Sequence, residues 1–419
     1  MGVITTLTRA WLTRTFKPFH FTNEYDNMLD YQDTKGLGLY VHIPFCRSLC
    51  SFCPYCKVVY DEALAEQYIE ALLKEIDMVG STVGIDKKQV TSLYFGGGTP
   101  ALLLNDIDCI IKRIERYFTI TEGIGLELHP KDVTEETLAI LKAAGVSKIS
   151  IGIQAFQEKY LKLLGREEFD YDEMFKALKR VRFETVSMDF IFALPSQTIE
   201  NIKNDIETAF NNGANHIAIY PFIDFTFTDR NFIKMSNRRK KKLLYEIVDY
   251  CKERGYVRDS IWTFSKNGTS KYSSMTRENF LGFGCSATTL LKDRFKINTF
   301  DIKEYQRRIK SDNLPTALTL NFTLRQRMVY YLFWTAYSMR VSPIDFREFF
   351  GESLERNYGF EIILARILGF VRKEKNQYIM TTKGSYYYHY YENFYTLSYI
   401  DRMWHLMKNE ALPKELIIK

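Results

Sequence analysis

From Gly38 to about Gly213, apolar runs of four to six residues alternate with longer stretches in which apolar positions recur every three or four residues. The short runs read as buried strands and the longer stretches as amphipathic helices packed over them. This pattern predicts strands at 39–43, 92–95, 125–128, 148–153, 187–191 and 216–220. It places helices at 63–79, 107–117, 135–144, 171–180 and 199–211 between them. Strands that alternate with helices of this length call for a parallel sheet with crossover connections, so the fold class is α/β, a full or partial (β/α) barrel. From about Asp301 the pattern changes, with Arg307-Arg308-Ile309-Lys310, then Asn313-Leu-Pro315, then a helical region through Tyr337. The remainder reads as helices, a small hairpin and a last helix, a smaller, mainly helical domain of winged-helix character. The organisation expected is an N-terminal arm over 1–36, a barrel domain over 37–300 and a C-terminal helical domain over 301–419.

Composition narrows the class. With 46% apolar and 15% aromatic residues the cores are well supplied, and no apolar run reaches the ~18 residues of a membrane span. Net charge is +6, from 57 basic and 51 acidic residues, too mild a balance for a nucleic-acid-binding surface. The basic run Arg238–Lys242 reads as the solvated start of a helix, with contact to an acidic substrate or membrane surface as the alternative. Arg9, Arg14 and Lys17 lie between apolar residues near the start, without the long apolar core of a secretory signal. Seven cysteines, four of them within eleven positions, form no disulfide framework and point to a reducing, cytoplasmic setting.

The candidate chemistry begins at Cys46, Cys50 and Cys53, three thiols at CxxxCxxC spacing in one short loop after the first predicted strand. Three thiolates hold three irons of a [4Fe-4S] cubane and leave the fourth iron open to a small ligand. Cys56 offers the alternative of a four-cysteine zinc site, although zinc ribbons pair two separated halves rather than one tight loop. Otherwise Cys56 is an unligated thiol beside the cluster, or a redox-active or second-site residue. Gly96-Gly97-Gly98-Thr99-Pro100 follows the second strand, and residues without side chains let the backbone approach a ligand closely. Glu127, Gln154 and Asp189 end three further strands, placing acceptors for amino and hydroxyl groups at one barrel mouth. Arg166 is suited to a carboxylate or to a helix-end ion pair. His42, His129 and His216 receive no metal role. Gly282-Phe-Gly-Cys285-Ser-Ala287 reads either as a ligand-facing segment or as a tight bend. The run Tyr386–Tyr391 reads as helix packing against the barrel or as a porphyrin platform.

Several runs together carry a resemblance. They are Tyr40-Val-His-Ile-Pro-Phe-Cys46, Phe95-Gly-Gly-Gly-Thr-Pro100, Ser150-Ile-Gly-Ile-Gln-Ala-Phe156, Met188-Asp-Phe-Ile-Phe-Ala-Leu-Pro195 and Leu281-Gly-Phe-Gly-Cys-Ser-Ala287. The chain from about Gly38 to Thr289 resembles the radical S-adenosylmethionine superfamily, and within it the oxygen-independent coproporphyrinogen III oxidase family with its heme-chaperone and methyltransferase relatives. The resemblance implies that Cys46, Cys50 and Cys53 hold the [4Fe-4S] cluster and that its open iron takes S-adenosylmethionine. It implies cofactor contacts from Tyr40, Phe52, Gly97, Gly98, Thr99, Glu127, Gln154, Arg166 and Asp189, with Thr288 at the position that touches a second S-adenosylmethionine. It implies a tetrapyrrole or heme as partner and a flavodoxin- or ferredoxin-like single-electron donor. The chain departs from the oxidase pattern where Cys56 stands three rather than two positions beyond the third ligand, at Glu127-Leu-His129-Pro130, and at Tyr220-Pro-Phe222.

Overall fold

Leu37, Leu39, Val41 and Ile43 are buried, and so are Gly38 and His42 on the opposite face of the same strand. Apolar burial on both faces puts that strand in the middle of a covered sheet. A computed structural model describes residues 3–24, 29–82, 86–226, 228, 234–270 and 278–418. Its main sheet runs, in chain order, through β1 (Phe19–Thr22), β2 (Leu37–Ile43), β3 (Leu93–Gly97), β4 (Ile124–Leu128), β5 (Val146–Gln154), β6 (Thr185–Phe192) and β7 (His216–Pro221). It continues through β8 (Val257–Arg258), β9 (Thr263–Ser265), β10 (Asn279–Phe283), β11 (Thr288–Leu291), β12 (Arg294–Asn298), β13 (Thr316–Asn321) and β14 (Glu415–Ile418). The spatial order is β8-β9-β7-β6-β5-β4-β3-β2-β10-β11-β12-β13-β1-β14.

Strands β2 to β7 pair parallel, each beside its neighbour in sequence. Helices Glu62–Gly80, Leu104–Glu115, Glu135–Ala143, Asp172–Arg180 and Ile199–Asn211 make the crossovers. Their starts are set locally: Asp61 accepts from the Leu64 amide at 2.9 Å, and Thr198 with Asn201 forms a capping box. The series of parallel strands does not close on itself, because β2 pairs on its other side with β10, from which the sheet continues antiparallel. The architecture is a partial (β/α) barrel, as the periodicity predicts. The sheet extends past residue 300: β13 lies beyond that boundary, and β14 pairs with β1 from Phe19↔Ile418 to Thr22↔Glu415. Strand β13 reads Thr-Ala-Leu-Thr-Leu-Asn, and its polar residues hide it from a hydrophobic scan. Thr316 and Thr319 are buried all the same, the Thr319 hydroxyl donating to the Glu24 carbonyl at 2.9 Å.

The helical part comprises Leu324–Tyr337, Pro343–Phe350 and Leu354–Ile367, a hairpin of Val371–Glu374 with Gln377–Met380, and Thr382–Tyr395. Met328, Tyr331, Phe346, Leu354, Tyr358 and Tyr378 form its own small core. The tyrosine-rich helix packs on the barrel: His389 stands edge-on to Trp262 at 4.4 Å, and the Lys241 ammonium lies 4.5 Å from the Tyr386 ring. The basic run is thus partly engaged in cation–π contact. No described helix is long and apolar enough to cross a membrane.

One buried carboxyl ties the helix after β2 to the far side of the sheet. Glu75 accepts from the Gly284 amide at 2.7 Å and from the Tyr305 hydroxyl at 2.7 Å, and burial pushes its pKa up from 4.5 to about 7. Between those two pH values the native state holds a proton that the unfolded chain has released, so this group's contribution to stability falls as pH rises through the window. Glu75→Gln removes the titration. Its melting temperature relative to wild type is expected to climb from about pH 4.5 to pH 7, by the equivalent of about 3 kcal/mol. A difference that stays flat across the window, measured by thermal unfolding, would show that the carboxyl does not titrate there.

Candidate active site

The cysteine loop is closed at its neck by backbone. Phe45–Cys46 pairs with Val58–Val59, the Val58 amide donating to the Pro44 carbonyl at 2.8 Å and the Tyr60 amide to the Cys46 carbonyl at 2.9 Å. Inside the loop the Lys57 ammonium donates to the carbonyls of Cys50 at 2.7 Å and Cys53 at 2.9 Å. One lysine thus gathers the backbone of two cysteines and leaves their thiols to other partners. Cys46, Cys50 and Cys53 are each part-exposed. Burial and the neighbouring Cys53 push the Cys46 thiol up to about 11, so it carries its proton until a metal displaces it.

Cys56 does not complete the set. It is buried, and its Sγ lies 3.3 Å from the Phe300 carbonyl oxygen, facing Cys285 and His42. The only Cys, His or carboxylate group of three that converges within 4.8 Å among the described residues is His42, Cys56 and Cys285, not the trio. Three thiols spread around a loop suit a multi-iron cluster better than a single tetrahedral ion.

Beside the loop lies the glycine ledge at the end of β3. The Gly98 and Thr99 amides donate to the carbonyls of Ile43 and Phe45, both at 2.7 Å, locking the ledge to the strand that leads into the cysteines. A Cβ on Gly98 would come within 2.8 Å of the Phe45 carbonyl carbon, and Gly97 has φ +120. The ledge therefore needs glycine for space at one position and for conformation at the other.

Along the same carboxyl edge stand the acceptors. Glu127 accepts from the Tyr94 hydroxyl and the Gly97 amide, each at 3.2 Å. Asp189 accepts from the Ser150 hydroxyl at 2.8 Å and the Ser187 hydroxyl at 3.1 Å. Burial, then repulsion from Asp189, raises Glu127 to about 7, and burial raises Asp189 to about 6. Two buried acids facing each other are relieved by a cation between them. Gln154 closes β5 in a left-handed conformation, φ +72, which aims it off the strand line. Arg166 donates to the Gly152 carbonyl, lies 5.8 Å from the Phe52 ring, and keeps a buried Nε without a hydrogen-bond partner. Tyr40 hydrogen-bonds His42 Nδ1 at 2.9 Å and stacks on Tyr94. The sequence-predicted residues on β2 to β6 and their loops thus meet at one mouth. Thr288 stands apart at the start of β11, its carbonyl against Gly282.

Sequence reasoning marked Tyr220 only as a departure from the oxidase pattern and missed the rest of the wall of that mouth. Tyr55, on the cysteine loop, is 53% exposed and Tyr220, at the end of β7, is 38% exposed, yet burial drives both phenols far above their ordinary range. Repulsion from Glu127 and Asp189 reaches Tyr55, and repulsion from Asp189 reaches Tyr220, so both rings border the acid-lined mouth. Tyr337 from the helical part meets the Tyr220 hydroxyl, and Trp404 packs 5.4 Å from Tyr55 and stacks on Phe225 at 5.8 Å. Asp401 anchors this wall, accepting from the Thr226 amide at 2.7 Å and its hydroxyl at 2.6 Å. The wall comes from distant parts of the chain, so no local motif announces it.

The donor set fits the group expected. Three thiols await metal, the paired acids await a cation, and Arg166 offers an unspent donor; S-adenosylmethionine carries an ammonium, a sulfonium and a carboxylate.

Comparison with known proteins agrees. Residues 40–209 match the Radical SAM superfamily. The chain is 27% identical to the heme chaperone HemW of Bacillus subtilis (strain 168), over 75% of this chain and 87% of that one. It is 26% identical to the oxygen-independent coproporphyrinogen III oxidase of Escherichia coli (strain K12), over 77% and 78%. The crystallographically known coproporphyrinogen III oxidase HemN from Escherichia coli superposes with a TM-score of 0.75 at 22% identity, covering 90% of this chain and 95% of that one. The cofactors of this superfamily are a [4Fe-4S] cluster and S-adenosylmethionine. Residues 40–209 thus carry the Radical SAM match, and the chain as a whole is similar both to oxygen-independent coproporphyrinogen III oxidases and to heme chaperones.

Proposed function

We propose that this protein is a radical S-adenosylmethionine enzyme in which Cys46, Cys50 and Cys53 hold the cluster, and that it acts on a tetrapyrrole. The observation that carries the reading is the aromatic cluster of Tyr55, Tyr220, Tyr337 and Trp404 directly beside the acid-lined floor. Aromatic walls of this kind suit a flat, extended ring better than a small polar metabolite. When bound, the cofactors supply one electron and a 5′-deoxyadenosyl radical that takes a hydrogen atom from substrate. The residues do the positioning. Glu127 and Asp189 receive the cationic groups of S-adenosylmethionine, the Gly97–Thr99 ledge and Tyr40 border it, Gln154 and Arg166 meet its polar ends, and Phe52 packs beside Arg166. Thr288 is assigned to a second S-adenosylmethionine. The electron comes from a flavodoxin- or ferredoxin-like donor. Seven free cysteines suit a reducing compartment, the cytoplasm.

The second reading is a heme chaperone, favoured by the likeness to HemW and by the same aromatic cluster, which would hold heme without turnover. Anaerobic reconstitution with iron and sulfide, then reduction and an assay for 5′-deoxyadenosine with and without porphyrinogen, separates them. The enzyme is expected to release 5′-deoxyadenosine faster when porphyrinogen is added. Stoichiometric heme binding with no substrate-stimulated turnover would establish the chaperone instead, and S-adenosylhomocysteine beside 5′-deoxyadenosine would mark a methyltransferase.

A further inference from the structure

Beneath the cysteine loop three metal-ligating side chains converge. His42 comes from β2, Cys56 from the end of the loop, and Cys285 from the turn after β10. Their ligand atoms all lie within 4.8 Å of one another, and the residues are only 3%, 8% and 0% exposed. We propose that His42, Cys56 and Cys285 form a zinc-binding site distinct from the cysteine trio.

The arrangement has the attributes of a built site. Two thiols and an imidazole are a donor set that zinc takes in sites with three protein ligands, where water or another small ligand fills the fourth position of the tetrahedron. The imidazole is held at both nitrogens: Nδ1 accepts from the Tyr40 hydroxyl at 2.9 Å, and Nε2–H donates to the Cys56 carbonyl at 3.0 Å, on the Cys56 side. Fixing one ring nitrogen by an outer partner so that the other faces the metal is how proteins orient histidine ligands. On binding, the imidazole changes tautomer: Nε2 gives up its hydrogen bond to the Cys56 carbonyl and turns its lone pair to zinc, Nδ1–H donates to Tyr40 Oη, and the two thiols release their protons. Cys285 is held equally firmly. Its amide donates to the Tyr68 hydroxyl at 3.1 Å, the adjacent Gly284 amide donates to Glu75 at 2.7 Å, and Gly284 and Ser286 both have positive φ, +97 and +58. The turn spends two left-handed residues to present one buried thiol to Cys56.

A metal there would pin the end of the cysteine loop to the turn after β10. It also accounts for the position of Cys56, which packs away from the trio and toward Cys285.

The test uses the full chain with Cys46, Cys50 and Cys53 all replaced by alanine, so that only the second site offers thiolates. Titration of the reduced protein with zinc is expected to give about one tight equivalent per chain and a raised melting temperature. Cobalt in place of zinc should give thiolate charge-transfer and tetrahedral ligand-field bands. Adding Cys285→Ser or His42→Gln should weaken zinc at least about tenfold, while Cys109→Ser changes nothing. A second measurement does not depend on that background. Wild-type protein with its cluster reconstituted should hold about one zinc per chain beside the cluster iron, and Cys285→Ser should hold none. Zinc uptake that is negligible, or that survives Cys285→Ser, overturns the proposal, as does a Cys56–Cys285 disulfide found by mass spectrometry in the reduced preparation.

Discussion

Cys50→Ala is expected to abolish the brown absorbance of the reconstituted protein and all S-adenosylmethionine cleavage, whereas Cys56→Ala keeps both. The reason is positional. Cys50 belongs to the part-exposed trio whose backbone is gathered by Lys57, and a cluster that loses one of three protein ligands has two open irons rather than one. Cys56 is buried against Phe300, His42 and Cys285, where it has no access to the same cluster. Iron and sulfide content, with the visible spectrum, decides between them. Equal loss in both variants would mean that all four cysteines serve one site and that the open-iron reading is wrong.

Gly98→Ala is expected to cost the next most. The added Cβ would lie 2.8 Å from the Phe45 carbonyl carbon and 2.9 Å from that of Pro44, with the Phe45 carbonyl oxygen closer still. All three are backbone atoms, already pinned by the Gly98 and Thr99 amide bonds, so no side chain can swing aside. Overpacking of this kind costs about 1–3 kcal/mol. The displacement falls on the residues that lead directly into Cys46, so S-adenosylmethionine affinity should drop at least about tenfold, and cluster retention should fall with it. Gly359→Ala serves as the control: it sits in the Leu354–Ile367 helix with open space around it and should be neutral or slightly stabilising. Unchanged S-adenosylmethionine binding in Gly98→Ala, by isothermal calorimetry, would show that the ledge is not a contact surface.

The parallel half of the molecule was legible because each of β2 to β7 is a short apolar run followed by a helix whose apolar face repeats at helical spacing. The cysteine trio was legible because its ligands are local. Most of what remained hidden depends on distance along the chain. Cys285 is recognisable as a partner of Cys56 only after β10 has been laid beside β2, and neither position carries a spacing that links them. Lys57 reads as one more surface lysine until the loop folds back over it. Strands β11 to β13 escape the scan because buried Lys296, Asn298, Thr316 and Thr319 interrupt their apolar pattern. Tyr220 and Tyr337 become neighbours at the mouth only when the helical part is folded over it.

That helical part leaves the sheet at β13 and returns to it at β14, and the two strands flank β1. A single protease nick in its interior would therefore not release a fragment. The downstream piece would still be zipped to β1 by four residue pairs and buttoned to the mouth loop through Asp401 and Thr226. Co-expressed halves split between Ser338 and Ser342 have the means to find each other, which makes the chain a natural subject for fragment complementation.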